Sequence, residues 1–96
     1  MILETATITV NPGQEEQFLA ALEQAKEVLA ESPGWQSIEV FQGIERPSTF
    51  RLHIGWATLA DHTETFRGGE SFTRWRALIG PFFAEPPEVE HWSERS

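Results

Sequence analysis

The 96-residue chain predicts an α+β fold of the ferredoxin-like kind, in the order β-α-β-β-α-β. A four-stranded antiparallel sheet would carry both helices on one face. Three observations predict it. Four stretches alternate apolar and polar residues at the two-residue period of a half-buried strand, two carry apolar stripes at helical spacing, and Gly, Pro and Asn cluster where these meet. The length suits one domain over residues 1–96, able to bury roughly two-thirds of its unfolded surface.

Ile2 to Val10 alternates Ile2, Glu4, Ala6, Ile8 and Val10 against Leu3, Thr5, Thr7 and Thr9, and its β-branched content suits a first strand. Asn11-Pro12-Gly13-Gln14 then reads as a helix start, with Asn as cap, Pro in the first turn, and Glu15 and Glu16 where the helix dipole favours anions. The helix should run from about Gly13 to Glu31, with Phe18, Ala21, Leu22, Ala25, Val28 and Leu29 as its apolar stripe. Ser32-Pro33-Gly34 ends it. Trp35 to Gly43 alternates Ile38 and Val40 against Ser37, Glu39 and Phe41 as a second strand, and the polar turn Gly43 to Ser48 leads into a third.

In that third strand Phe50, Leu52, Ile54 and Trp56 share one face, and Arg51, His53, Gly55 and Ala57 the other. A polar segment, Thr58 to Glu64, precedes a second helix whose stripe is Phe72, Trp75 and Ile79, with Phe66 on the turn before. Gly80-Pro81 should stop this helix, and Phe82 and Phe83 should pack back. Pro86-Pro87 forces an extended entry to a short last strand, Val89 to Trp92, and Ser93 to Ser96 read as a frayed tail. The sheet face away from the helices would carry Thr5, Thr7, Thr9, Ser37, Phe41, Arg51 and His53. No segment is left to cover it, so a homodimer packed sheet to sheet is expected.

Composition narrows the function classes. Seven Lys plus Arg against 15 Asp plus Glu give a formal charge of -8, a field that repels phosphate backbones and argues against a nucleic-acid partner. Cysteine is absent, so there is no disulfide framework, thiolate metal site or thiol nucleophile. Neither a signal peptide nor an apolar run near ~20 residues is visible, and a cytoplasmic protein without a membrane partner is expected.

Four Trp, seven Phe and no Tyr make any aromatic cavity apolar and without phenol donors, so acid–base work falls to His or a carboxylate. Trp56, Phe66, Phe72 and Trp75 read as core or as walls of such a cavity, with core the favoured reading. His53, His62 and His91 are the groups that titrate near neutral pH unaided. Each also has a plain structural role open to it: lining the sheet interface, capping a short helix, or standing solvated near the terminus. Their spacing matches no metal signature, and no metal site is expected. Arg51, Arg67, Arg74 and Arg76 make the centre of the chain basic, and a guanidinium facing the cavity would hold a phenolate, enolate or carboxylate. For Arg67 and Arg74, surface pairing with the surplus of Glu is the favoured alternative. Gly68-Gly69 fits a hinge or a plain loop, and nucleotide-cradle and serine-elbow motifs are missing.

Three stretches carry a family resemblance: NPGQEEQF at the first helix, SPGWQSIEVFQG at the second strand, and LHIGWATLADHTETF leading to FTRWRALIGPF. Together they resemble the antibiotic biosynthesis monooxygenase family of dimeric α/β barrels over nearly the whole chain. The resemblance implies a sheet-to-sheet dimer with a ligand cavity between sheet and helices of each subunit. Its quinone-forming members act on polycyclic phenols or anthrones without a cofactor, through an Asn four residues before a strand-end Trp, a Tyr six after it and an Arg twenty after it. Here the Trp falls on Trp56 and the Arg on Arg76, while His62 stands at the Tyr position and Leu52 at the Asn position. The haem-degrading branch fits poorly: its Asn falls near Ala6, its Trp near Thr65 or Phe66, and its haem-ligating His near Arg76.

The leading expectation is therefore a cofactor-independent monooxygenase that oxidises an aromatic phenol, anthrone or hydroquinone with O2. In that scheme His62 or His53 assists deprotonation, Arg76 holds the phenolate, and Trp56, Leu52, Phe66, Phe72 and Trp75 form the cavity. Two alternatives stand beside it: a non-catalytic or stress-related dimer that binds a small hydrophobic ligand, and a His-based isomerase.

Overall fold

The structure, a computed structural model, describes residues 1–95. Its strands are β1 (Ile2–Thr9), β2 (Trp35–Gln42), β3 (Thr49–Trp56) and β4 (Glu88–Ser93), and its main helices are α1 (Glu15–Ala30) and α2 (Glu70–Ile79). A π-helix (Asp61–Phe66) joins β3 to α2, and a short 3-10 turn (Gly80–Phe82) follows α2. The strands form one open antiparallel sheet in the order β2-β3-β1-β4, the ferredoxin-like arrangement that the alternation predicts.

Register fixes which side chains meet. Glu4 stands between Ile54 on β3 and His91 on β4, and Ala6 between Leu52 and Val89. These positions share the helix-covered face, where Phe18, Leu22, Ala25 and Leu29 of α1 and Trp75 and Ile79 of α2 close a core with Ile8, Phe50, Leu52, Ile54 and Trp56. The opposite face holds Thr5 opposite His53 and Phe41 opposite Arg51. Among the described residues nothing covers that face, and its phase is the one the alternation predicts.

Boundaries differ from expectation at three places. Asn11 does not cap α1: its carbonyl instead closes a turn onto the Gln14 amide at 3.0 Å, with Gly13 at φ +92°. The left-handed Gly13 redirects the chain, so the helix starts at Glu15, two residues later than expected. β2 carries a β-bulge between Trp35 and Ser37. Thr58 to Glu64 is not merely polar linker. Thr58 and Asp61 exchange bonds, the Thr58 amide donating to the Asp61 carboxylate at 3.0 Å and the Asp61 amide to the Thr58 hydroxyl at 3.2 Å. This start launches the π-helix. Of the predicted tail, Ser93 closes β4 and Ser96 lies outside the described residues.

Candidate active site

The π-helix positions the chemistry. Its wide turn, marked by the Arg67 amide bonding five residues back to the His62 carbonyl at 3.1 Å, brings both His62 and Phe66 inward over the end of β3. His62 is 2% exposed and stacks on the Trp56 indole, ring centroids 5.2 Å apart at 23°. Phe66 packs against the same indole at 5.4 Å.

Beneath the imidazole lies Glu4, 6% exposed at the centre of the sheet. Its Oε1 accepts a hydrogen bond from Trp56 Nε1 at 3.0 Å and lies 3.3 Å from His62 Nε2. The other imidazole nitrogen, His62 Nδ1, is 2.7 Å from His91 Nε2. Three segments distant in sequence thus form one polar line inside an apolar core. Because His62 uses a different nitrogen toward each neighbour, the line is a chain and not a chelate.

Burial sets the protonation states. It pushes the Glu4 carboxyl above its ordinary value, against the Trp56 hydrogen bond and the positive Arg67, which pull it down. Burial, with His91 and Arg67 as neighbours, pushes His62 down to about 4, and burial followed by Arg67 also lowers His91. At neutral pH both imidazoles are therefore uncharged, each with one donating and one accepting nitrogen.

A cavity of about 60 Å³ opens above Glu4 and His62. Ala6, Leu52 and Ile54 form its floor, Phe66, Phe72 and Trp75 are among its walls, and Arg67 and Arg76 border it. The Arg76 guanidinium lies over the rings of Phe72 and Phe83 at 5.8 and 5.9 Å, which holds it beside the opening. Arg74 pairs with Glu31 at 2.9 Å, whereas among the described residues Arg67 and Arg76 have no carboxylate at ion-pair distance. An apolar chamber with a carboxyl and an imidazole inside and cationic groups at its border can take a proton from a bound weak acid and hold the resulting anion.

The family model for antibiotic biosynthesis monooxygenase matches residues 1–78. The chain belongs to that family. A curated relative, the uncharacterized protein YczJ of Bacillus subtilis, is 32% identical over 94 residues, 98% of this chain and 99% of its own. Among solved structures, a candidate antibiotic biosynthesis monooxygenase from Bordetella bronchiseptica is 36% identical, superposes with a TM-score of 0.95, and is matched over 99% of this chain and 97% of its own. A variant of SnoaB from Streptomyces nogalater, described as a cofactor-independent oxygenase, shares the fold with a TM-score of 0.83 at 12% identity, over 99% of this chain and 93% of its own.

Within this family member the residues singled out in the sequence divide into three groups. Leu52, His62, Phe66, Phe72, Trp75 and Arg76 all border the cavity. Trp56 lies one layer below it, fully buried, where it holds Glu4 and supports His62. His53 is brought nowhere near: it stands on the uncovered face, its ring 4.9 Å from Phe41 and its buried Nε2 without a hydrogen-bond partner. The pleat is the reason, since His53 and Leu52 must point to opposite sides of β3. Two residues absent from that set join the site, Glu4 and Arg67. Glu4 had a signal, a carboxylate in phase with Ile2, Ala6, Ile8 and Val10 on an otherwise apolar strand face.

Proposed function

We propose that this chain is a cofactor-independent oxygenase for a small phenol or hydroquinone, acting as a homodimer. The observation that carries the proposal is Glu4: a buried carboxylate with a raised pKa, bordering an apolar cavity, is a stronger base than a solvated one. In this scheme Glu4 takes a proton from the bound substrate, His62 and Trp56 hold the carboxylate in place, and the Arg76 guanidinium stabilises the oxyanion. The substrate carbanion, in its keto form, gives electrons to O2 and forms a C–O bond. Glu4 returns its proton to the peroxide, then takes the remaining C–H proton as the O–O bond breaks and passes it to the departing hydroxide. A CH2 centre and O2 become C=O and H2O, one oxygen atom in each product. SnoaB, which shares the fold, is a cofactor-independent oxygenase by its own description.

Cavity size bears on the substrate. About 60 Å³ is less than the ~150 Å³ of an apolar cavity that admits benzene. Even one ring thus requires Phe72 and Arg76 to swing outward, and a single-ring substrate is favoured over an anthrone. The uncovered sheet face supports the dimer: Phe41 and Trp92 are 49% and 51% exposed there, beside the unpartnered His53.

The test is O2 uptake by the chain with monocyclic hydroquinones, naphthols and anthrones, alongside Glu4→Gln and Arg76→Ala. Uptake above the spontaneous rate that falls by about 10²-fold or more in Glu4→Gln supports the assignment. No uptake with any of them, from folded protein whose tryptophan emission is nonetheless quenched saturably by the same compounds, replaces it with a binding role. The small apolar cavity is the observation that favours that second reading.

A further inference from the structure

The cavity is small, and a bound ring would fill its opening. A base at its floor must still exchange its proton with water before or between turnovers. Glu4 and His62 border the cavity, but His91 does not. It lies half-buried on β4, the edge strand, opposite Glu4 in the sheet register and in contact with the other ring nitrogen of His62. The Glu4–His62 separation is 3.3 Å and the His62–His91 separation 2.7 Å. The line leads out of the core by a way the ligand does not block.

We propose that Glu4, His62 and His91 form a reversible proton relay that is the main route by which Glu4 equilibrates with solvent at the sheet edge. In the proton-loaded state Glu4 is a neutral acid that donates toward His62 Nε2, His62 Nδ1–H donates to His91 Nε2, and His91 carries its proton on Nδ1. In the discharged state Glu4 is a carboxylate, both imidazoles carry their protons on Nε2, and one proton has passed from His91 Nδ1 to water. Three transfers, two within the line and one to water, connect the two states, and no charge stays on a buried ring. The charged groups that border the line are Glu4 itself from β1, Arg67 after the π-helix and Arg76 from α2. Arg67 favours the discharged, anionic Glu4.

The relay rests on the proposed oxygenase only for its use in turnover, since its geometry is independent of substrate. It makes His91 a positioning and proton-transfer residue that touches no ligand. Trp56 provides the readout. Its indole donates to Glu4 and stacks on His62, so its emission responds to the protonation of either.

The experiment is a stopped-flow jump from about pH 8 to about pH 5, with protein alone and tryptophan emission recorded. Wild type, His91→Gln and Trp56→Phe are compared, with and without added imidazole. The Gln amide still donates to His62 Nδ1 and keeps the strand in place, but it does not pass a proton on. The expected result is a fast phase that Trp56→Phe abolishes, that His91→Gln slows about tenfold or more, and that imidazole restores. A phase that survives Trp56→Phe, or whose rate His91→Gln leaves unchanged in folded protein, overturns the relay. With no substrate present, this outcome is independent of the oxygen-uptake result.

Discussion

His62 Nδ1 and His91 Nε2 stand 2.7 Å apart, with one ring sealed in the core and the other at the sheet edge. Two imidazoles this close share one proton comfortably and repel when both are charged. The acid response of the fold follows from that arrangement.

For His62 the folded value is about 4 and the ordinary one 6.5. Between these the unfolded chain binds more protons, so the stability that His62 contributes is fully present above about pH 6.5 and is lost as pH falls toward about 4, a gap worth about 3 kcal/mol. Glu4 acts with the opposite sign. Its folded value lies above 4.5, so the folded chain holds that proton longer and loses stability as pH rises through the range. The two slopes oppose one another in the wild type. Urea unfolding of Glu4→Gln should therefore show a steeper rise of stability between pH 4.5 and 6.5 than the wild type shows.

Trp56→Phe keeps the ring and removes the indole donor from Glu4. The buried carboxyl is left short of a partner, and a loss of about 1–3 kcal/mol in chemical unfolding is expected. Glu4→Leu, which removes the polar group as well, should recover part of that loss in the double variant.

Ala6→Leu places three more carbons into the cavity floor. Ring ligands should lose affinity by at least about tenfold, measured by tryptophan quenching, while stability changes by no more than the ~1–3 kcal/mol typical of overpacking.

Gly34 has φ +82°, and a Cβ there would run into the Asp61 carboxylate. Asp61 is half of the exchange with Thr58 that starts the π-helix. Gly34→Ala should therefore destabilise the chain by more than ~1 kcal/mol and also disturb the Trp56–His62 stack, visible as a change in near-UV circular dichroism.

Phe41→Asp puts a charge on the uncovered sheet face, beside His53. If a second copy packs there, sedimentation should show dissociation to monomer without loss of secondary structure.

Much of the fold was legible in the chain because its strands are half-buried, so period two marks them directly, and the stripe from Phe18 to Leu29 marks α1. The π-helix was not legible. Its extra residue per turn leaves no local pattern, and Thr58 to Glu64 looks like any polar connection. Within the site, the aromatic walls and Arg76 stood at readable positions, whereas Glu4 was overlooked because a single Glu in a strand is ordinarily a solvated one. In the sequence His91 stands open both to acid–base work and to a solvated place near the terminus. Its importance comes from pairing β4 against β1 opposite Glu4, a relationship of register that only the folded sheet contains. Arg67, for which surface pairing with Glu is the favoured alternative in the sequence, borders the cavity instead, because whether a guanidinium finds a Glu or a cavity depends on the turn after the π-helix.

The last strand has a further consequence, for biosynthesis. β1 lies inside the sheet only because β4 arrives at its free edge, and β4 leaves the ribosome after the other three strands. Until Glu88–Ser93 docks, the nascent chain exposes an open strand edge and a carboxylate destined for burial, and it is in that interval most vulnerable to pairing with other chains. Amide hydrogen exchange on the finished protein should then find the β1–β4 bonds opening more readily than those between β1 and β3. The same fraying would admit water to His62.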